Sequence, residues 1–396
     1  MKLNDMKAIL GMESIPECFE DYYKEIEETW RDRSALILSE NYIKKILTEA
    51  NVLLPYMDTV LSAAEEIRKN ENMCLLICIL EKWVRQGGSA FDASYTPPVG
   101  TGLAYDFLHL FAAIPTILDS VKFFKDRGVP QDIIDASMQE YDYCFEICRI
   151  NIGRIAFDRG RLGWIGHVIK NELIRVGRFK YELPLKRVKG IKAYRNKDGE
   201  ITVLADGLHM HRNGRVLGSA ASEDEEGSYL AEITETENEI SGYAIVDGNV
   251  SREMITLSKA EWELCLSADD PVIPIHIPKE GSFDRETIEE SYETMRELME
   301  KCFPDMPYKA FHCKTWMMSR DLRKVLKPDS NILAFQSKFT HYPIMSNGTW
   351  VFGWVFSGEG GIENLENLSE KTSLQRAVKK LYLDGGYIYD DCGFFF

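Results

Sequence analysis

The first half of the chain spaces its apolar residues in the pattern of amphipathic helices. Within Tyr42–Leu47 they recur at positions i, i+3 and i+4, so they share one helix face. Runs of the same kind cover residues 61–69, 73–85, 104–127, 131–155 and 162–176. Gly87-Gly88 follows the second run and is typical of a helix C-cap. We therefore predict a mainly helical domain over residues 1–177.

After Arg178 the pattern changes to short runs separated by turn residues. The strands it predicts cover residues 179–183, 191–195, 201–205, 207–211, 229–234 and 239–246. Asn213-Gly214 predicts a two-residue hairpin turn, because both residue types tolerate positive φ. Residues 258–266 predict a short helix.

From Pro271 onward, predicted strands alternate with predicted helices. The strands cover residues 272–277, 309–316, 331–339 and 350–356, and residues 387–396 close the chain as a strand or packed tail. The helices cover residues 284–302, 320–326 and 373–383. Helices and strands arranged in this order form one layered α/β unit. The predicted fold class is α+β, with a helical domain at 1–177 followed by a mixed α/β domain at 178–396.

Composition and charge narrow the function. A chain of 396 residues exceeds the usual size of one core, which favours two domains. The net charge of −16 argues against nucleic acid or an anionic membrane surface as the main partner. The N-terminus lacks the apolar core of a signal peptide, and no apolar run reaches the length of a membrane span. Nine cysteines without a disulfide rhythm fit a reducing compartment, so we expect a cytoplasmic protein.

The turn after the strand Val272–Ile277 is a candidate anion site. Lys279, Gly281 and Ser282 stand between this strand and the predicted helix. A glycine-containing turn at a helix N-terminus presents free amides and the positive end of the helix dipole. An ordinary capped turn explains the same residues, and the chain carries no Walker or dinucleotide-binding motif.

Other candidate chemistry is weaker. His312 and Cys313 are neighbours in one predicted strand and point to opposite faces, so they do not form a catalytic pair. Asn331 stands in a polar cluster that turn chemistry also explains. His209 and His211 share a strand face without a third ligand, and we predict no metal site. The cysteine pairs Cys74/Cys78 and Cys144/Cys148 fit buried thiols better than a zinc site.

Several segments together resemble a bacterial family of two-domain, GNAT-like acyltransferases. They are Arg154–Phe157, Glu172–Leu183, Ile275–Pro278, Phe311–Trp316, Asp329–Gln336, Thr372–Arg376 and Gly385-Gly386. The resemblance implies a GNAT-like C-terminal domain that binds acyl-CoA where two strands splay apart. It assigns Ile275 and Ile277 to the splayed strand, and Lys279, Gly281 and Ser282 to the pyrophosphate turn.

The resemblance also implies roles for residues of the cleft. His312 would be a base or a substrate contact, and Tyr387 would donate a proton to the departing thiolate. Four further positions of the family segments would line the substrate cleft: Trp316, Asn331, Gln336 and Arg376.

Two functions stay open. The first is an N-acyltransferase that transfers an acyl group from acetyl-CoA or another acyl-CoA to a small-molecule or peptide amine. The second is a non-catalytic protein that binds a small ligand on a degenerate GNAT-like scaffold. The turn Lys279-Glu-Gly-Ser282 favours the second, because it departs from the Gln/Arg-x-x-Gly-x-Gly/Ala turn of GNAT enzymes. A hydrolase that uses His312 and Cys313 is a third interpretation, which no nucleophile–base spacing supports.

Overall fold

The computed structural model describes residues 3–396, which fall into two compact units that divide between Val176 and Gly177. The first unit is helical, and the second is built on β-sheets with a few helices. The predicted α+β fold class is thereby confirmed.

Short helices make up the first unit. They are α1 (Leu3–Ile9), α2 (Cys18–Ile26), α3 (Trp30–Ile37), α4 (Glu40–Glu49), α5 (Met57–Arg68), α6 (Glu71–Arg85), α7 (Leu103–Ala113), α8 (Ile117–Asp126), α9 (Gln131–Met138), α10 (Glu140–Ile152) and α11 (Arg159–Ile169), followed by strand β1 (Leu173–Val176). Helix α6 is buried along most of its length and contacts α2, α3, α5 and α7. The Asn70 side chain caps it by accepting from the amides of Asn72 and Met73.

One helical run of this unit, Leu103–Asp126, is apolar and long enough to cross a membrane by length and composition alone. Within the described structure, 78% of its most apolar window is buried. Pro115 interrupts the run, because proline has no amide hydrogen and the chain forms a 3₁₀ turn at Ile114–Thr116. This run therefore serves as a core element of the helical unit.

The second unit contains the remaining strands and helices. The strands are β2 (Phe179–Glu182), β3 (Ile191–Asn196), β4 (Ile201–Ala205), β5 (Leu208–Met210), β6 (Tyr229–Ala231), β7 (Thr234–Glu235), β8 (Glu239–Val246), β9 (Asn249–Ser258), β10 (Trp262–Leu266), β11 (Val272–His276), β12 (Ala310–Thr315), β13 (Thr340–Tyr342) and β14 (Asp391–Phe395). The helices are α12 (Arg285–Cys302), α13 (Asn331–Gln336), α14 (Trp350–Val355) and α15 (Ser373–Leu383).

Two sheets form the core of this unit. The first has the order β2-β11-β12-β14-β13 and the second the order β10-β3-β4-β8-β7, with β9 paired to β8. Val272, Ala310 and Phe394 of the first sheet pack against Ile191 and Val203 of the second. Helix α12 covers the other face of the first sheet, where the Tyr292 ring lies 5.7 Å from Phe311 and 4.8 Å from Phe395.

The structure corrects three predicted elements. Residues 331–339 and 350–356, expected as strands, form helices α13 and α14. The Ser330 side chain caps α13 by accepting from the Ile332 amide, which sets the helical start. Residues 258–266, expected as a helix, end strand β9 and form β10.

The hairpin turns depend on glycines at positive φ. Asp247 and Gly248, at φ 49° and 80°, join β8 to β9 and are the pair of positive-φ residues that a two-residue hairpin turn requires. At the predicted turn Asn213-Gly214 only Gly214 adopts positive φ, and the turn closes between His211 and Arg215.

A buried ion pair ties the start of β14 to the turn after β5. The Arg215 guanidinium donates to both carboxylate oxygens of Asp391 at 3.2 and 2.5 Å and lies 4.0 Å from the Tyr389 ring centroid. Both charged side chains are buried. Burial raises the pKa of the Asp391 carboxyl to about 6, and the nearby Arg215 opposes that shift. Each buried charge is therefore stabilised by the opposite charge of its partner instead of by water.

We predict that Asp391→Ala destabilises the second unit by about 3–5 kcal/mol, because Arg215 is left as a buried, uncompensated charge. Denaturant unfolding of the full chain measures the change. Asp269→Ala, which removes an almost fully exposed partner of Lys186, is the control and should change stability little. The double variant Arg215→Met/Asp391→Leu should recover much of the loss, and failure to do so would contradict the account of the pair.

Candidate active site

Strands β11 and β12 run parallel, and the hydrogen-bonded ladder between them ends before either strand does. They pair over four residues, from Val272 with Ala310 to Ile275 with Cys313. Beyond that point His276 pairs with Lys180 of β2, whereas β12 continues to Thr315 along β14. The carboxyl ends of the two strands thus lie in the middle of the sheet with no ladder between them. Such an edge is where ligands bind in open α/β sheets.

The turn after β11 leads into α12 and carries the predicted pyrophosphate residues. Gly281 adopts a φ of 92°, and Lys279, Gly281 and Ser282 are exposed. The Lys279 ammonium donates to the Ser357 hydroxyl at 3.0 Å, which links the turn to the residues after α14.

Helix α12 already carries an anion at its N-terminus. The Asp284 carboxylate accepts from the Thr287 amide at 2.9 Å and from the Thr287 hydroxyl at 3.0 Å. The Ser282 hydroxyl also donates to it, and these hydrogen bonds lower the pKa of Asp284 to about 2. Asp284 is therefore ionised at neutral pH, close to the place where a diphosphate would bind.

The charges around the turn give a mixed fit to a diphosphate. Lys279, Arg285 and the buried Arg178, which donates to the Pro278 carbonyl oxygen at 2.9 Å, supply positive charge. Glu280, Asp284 and Glu286 supply negative charge. The backbone fits better, because Gly281 adopts positive φ and its nearest neighbour is the Arg178 side chain, 3.9 Å from the place where a Cβ would stand. The amides of residues 285 and 286 have no acceptor within the helix. The turn therefore presents free amides and the Lys279 ammonium, with the ionised Asp284 carboxylate close to them.

Ionisable side chains gather on the sheet face that packs against the second sheet. Alternation along the strands puts His276 of β11 and Lys314 of β12 on the same face as buried Val272 and Ala310. The His276 Nε2 lies 2.6 Å from an oxygen of Glu182, and Arg187 donates to the other oxygen of Glu182 at 2.7 Å. None of these residues is among the site residues predicted from the sequence, although Glu182 and His276 both lie in the segments that carry the family resemblance.

Helix α14 lies beside both strand ends. The Lys314 ammonium lies 5.6 Å from the Trp350 ring centroid, and Ser357, two residues after the helix, contacts Lys279. Trp350 and Trp354, one helical turn apart, are 59% and 42% exposed. The helix thus places the accessible Trp350 ring near the end of β12 and carries a second accessible ring, Trp354, one turn further along.

His312, the predicted base, is buried. Its Nε2 lies 2.7 Å from the Tyr342 hydroxyl, and burial lowers its pKa to about 4. Cys313 points to the opposite face, where its thiol donates to the Ile275 carbonyl oxygen, and burial raises its pKa. The pair therefore lacks the geometry of a nucleophile and its base. His312 as a base stays a prediction that requires the core to open.

The other predicted cleft residues differ in burial and in position. Trp316 is buried in a cluster that includes the partly exposed Tyr387. Gln336 is also buried and donates to the carbonyl oxygens of Met317 and Ser319, so it holds the turn that contains Trp316. Asn331 is exposed at the start of α13, and Arg376 caps the loop before α15 through the Glu370 carbonyl oxygen. The structure brings Trp316 and Tyr387 together in one cluster and places Gln336 against the turn that contains Trp316, and no hydrogen bond or ring contact among the described residues joins Asn331 or Arg376 to them.

The histidines and cysteines considered as metal ligands are separated in the structure. His209 is exposed, whereas His211 is buried with its Nε2 3.2 Å from the Asp224 carboxylate. The Cys74 and Cys78 thiols are buried and donate to backbone carbonyl oxygens. Within residues 3–396, no group of three or more His, Cys, Asp or Glu side chains could hold a metal ion.

The parallel β11-α12-β12 unit, with its strand ends separated in mid-sheet, is the arrangement that the GNAT-like resemblance implies. Residues 173–395 match the model of the GNAT-like C-terminal domain family. The chain belongs to this family, which confirms the resemblance seen in the sequence.

Solved structures of acyltransferases share the fold of the whole chain. One, an acyltransferase in complex with decanoyl-CoA and teicoplanin, matches with a TM-score of 0.63 and 16% identity, over 100% of this chain and 99% of its own. A mutant acyltransferase in complex with octanoyl-CoA matches with a TM-score of 0.62 and 16% identity over the same shares. An acyltransferase in complex with CoA and 10C-teicoplanin matches with a TM-score of 0.62 and 15% identity, again over 100% and 99%. A search of curated protein sequences finds no significant match.

The buried state of His312 predicts a pH-dependent stability. Its pKa is about 4 in the folded chain and near 6.5 in an unfolded one, so the unfolded chain binds more protons in between. Stability is therefore full above about pH 6.5 and falls by up to about 3 kcal/mol as the pH drops towards 4.

Denaturant unfolding at several pH values tests this, with His312→Gln as the comparison. The variant should lose less stability over this pH range than the wild type. Buried His109 of the first unit, whose pKa is also lowered to about 4, remains in both proteins and does not affect the difference. Identical pH dependence in the two proteins would contradict the account of His312.

Proposed function

We propose that the protein is an N-acyltransferase that transfers an acyl group from an acyl-CoA to the amine of a small molecule or peptide. The observation that carries the proposal is the separation of β11 and β12 beyond Ile275 and Cys313, next to a glycine turn and a helix N-terminus. The full-length likeness to acyltransferase structures that contain acyl-CoA supports it.

In this proposal each part of the site has a task. The backbone at the end of β11 and just after it, at Ile275 and Ile277, binds the pantetheine arm, and Lys279, Gly281 and Ser282 bind the diphosphate. The bound acyl-CoA supplies a thioester carbonyl, which the amine attacks. The strand ends position the reacting groups, and the ionisable residues beside them move the proton of the amine.

The exposed indoles of α14 give the site an apolar border. In this proposal Trp350 and Trp354 contact the acyl chain or an apolar part of the acceptor, since aromatic side chains supply large contact areas. Tyr387 and Trp316 lie together in the adjoining cluster and stay candidates for thiolate and substrate contacts.

A second function, ligand binding without catalysis, is favoured by one observation. Asp284 already occupies the N-terminus of α12 with an ionised carboxylate, which opposes a diphosphate there. A protein that has lost acyl-CoA binding would keep the fold and tolerate this charge. Titration with CoA distinguishes the two functions.

Calorimetric titration with CoA and octanoyl-CoA is the first test. We expect binding that weakens roughly tenfold in Lys279→Ala/Ser282→Ala, because a charge-assisted contact to phosphate is lost. Asp284→Asn should tighten binding by a few-fold, since asparagine keeps the helix cap and removes the like charge. Glu237→Gln removes the same charge from the exposed turn between β7 and β8 and should leave binding unchanged.

Two outcomes would contradict the proposal, the first its function and the second its location of the diphosphate. If the wild type binds neither ligand at millimolar concentration, the acyltransferase proposal fails and the ligand-binding function remains. If Asp284→Asn and Glu237→Gln alter the affinity equally, the diphosphate does not bind at the turn after β11.

A further inference from the structure

A carboxylate–imidazole pair stands where β11 and β12 separate. His276 is the last residue of β11, and its Nε2 lies 2.6 Å from the Glu182 carboxylate on β2. The His276 side chain is 34% exposed, whereas that of Glu182 is 3% exposed. The pair therefore has one buried member and one that reaches the surface at the candidate active site.

We propose that His276 is the proton acceptor of the acyl-transfer reaction and that Glu182 is the residue that positions it. This inference rests on the proposed function, because it assigns a residue to the reaction that the site would perform.

The hydrogen bond fixes which nitrogen can accept the proton. A carboxylate only accepts hydrogen bonds, so the Nε2 that faces Glu182 must carry the hydrogen. In the neutral imidazole the lone pair is then on Nδ1, which becomes the basic nitrogen.

Glu182 is itself fixed. One carboxylate oxygen faces His276, and the other accepts from Arg187 at 2.7 Å. The antiparallel register of β2 with β11 sets His276 opposite Lys180, two residues from Glu182 on the same face. The imidazole therefore cannot rotate without breaking its hydrogen bond to Glu182.

The environment of His276 contains charges of both signs. Lys180 and Glu182 of β2, Arg187 in the segment after β2, and His312 and Lys314 of β12 face it on this side of the sheet. His312 is behind the pair and buried, with its Nε2 at Tyr342. Among these groups His276 combines exposure with an orienting carboxylate, which a proton acceptor for an incoming amine requires.

The step balances within the proposed reaction. The amine nitrogen attacks the thioester carbonyl, the C–N bond forms, and the C–S bond breaks. The Nδ1 of His276 accepts the N–H proton of the amine, which leaves a neutral amide. The imidazolium then returns this proton to the departing thiolate, so the products are the amide and the free thiol of CoA.

The test measures thiol release from octanoyl-CoA by the full chain, with a panel of primary amines and with hydroxylamine. We expect His276→Gln to lose ~100-fold or more of the amine-dependent rate while its affinity for octanoyl-CoA is unchanged. Hydroxylamine, which is largely unprotonated at neutral pH, should lose less. Glu182→Gln should lose less than His276→Gln and shift the pH profile of the rate, because the positioned imidazole is altered rather than removed. His209→Gln, on the exposed side of β5, should keep the full rate.

Binding and rate together distinguish a wrong role for His276 from a wrong proposed function. If the wild type binds octanoyl-CoA and His276→Gln keeps more than about a tenth of the rate, the role of His276 is overturned and the proposed function stands. If the wild type binds octanoyl-CoA but releases no thiol even with hydroxylamine, the chain is a binding protein and the inference fails. If the wild type does not bind octanoyl-CoA, the proposed function and the inference fail together. The denaturation midpoint of each variant shows whether a lost rate reflects a lost fold.

Discussion

The parallel pairing of Val272–Ile275 with Ala310–Cys313 is the constraint on which the second unit depends. Parallel neighbours require a crossover, and α12 supplies it by covering the sheet through Tyr292. The same pairing delivers both carboxyl ends to the middle of the sheet, where the ladder between the two strands ends while His276 still pairs with β2 and Thr315 with β14. Both the glycine turn and the ionisable cluster exist because these two ends arrive side by side.

The charges at one end of the site favour the chemistry of acyl transfer, whereas a charge at the other end opposes binding of the diphosphate of acyl-CoA. At the strand ends, Glu182, Arg187 and His276 form a connected, partly buried set that suits proton transfer. At the N-terminus of α12, Asp284 places a permanent negative charge where the diphosphate should lie. The reactive end thus fits the proposed chemistry better than the nucleotide end does, and a diphosphate would depend on the amides of the turn and on Lys279.

The sequence predicts the architecture well and the site poorly, for physical reasons. Helix α12 is predicted within one residue because its capping Asp284, its first-turn acid and its apolar stripe agree. Helix α14 is missed because its six residues, five aromatic or aliphatic ones and Gly353, are too few to show a helical period. Glu182 and His276 are 94 residues apart and meet only through strand register, which composition and spacing do not show. His312 attracts attention as a motif residue, yet its side chain faces the core.

Hydrogen–deuterium exchange of the full chain, with and without octanoyl-CoA, tests the central claim most directly. If the separated strand ends receive the thioester and the turn receives the diphosphate, bound ligand should slow amide exchange in residues 276–287 and 314–316. The helical unit and the β8–β9 hairpin should exchange at the same rate with and without ligand. Protection confined to other segments, or no protection under conditions in which the ligand binds, would contradict this account of the site.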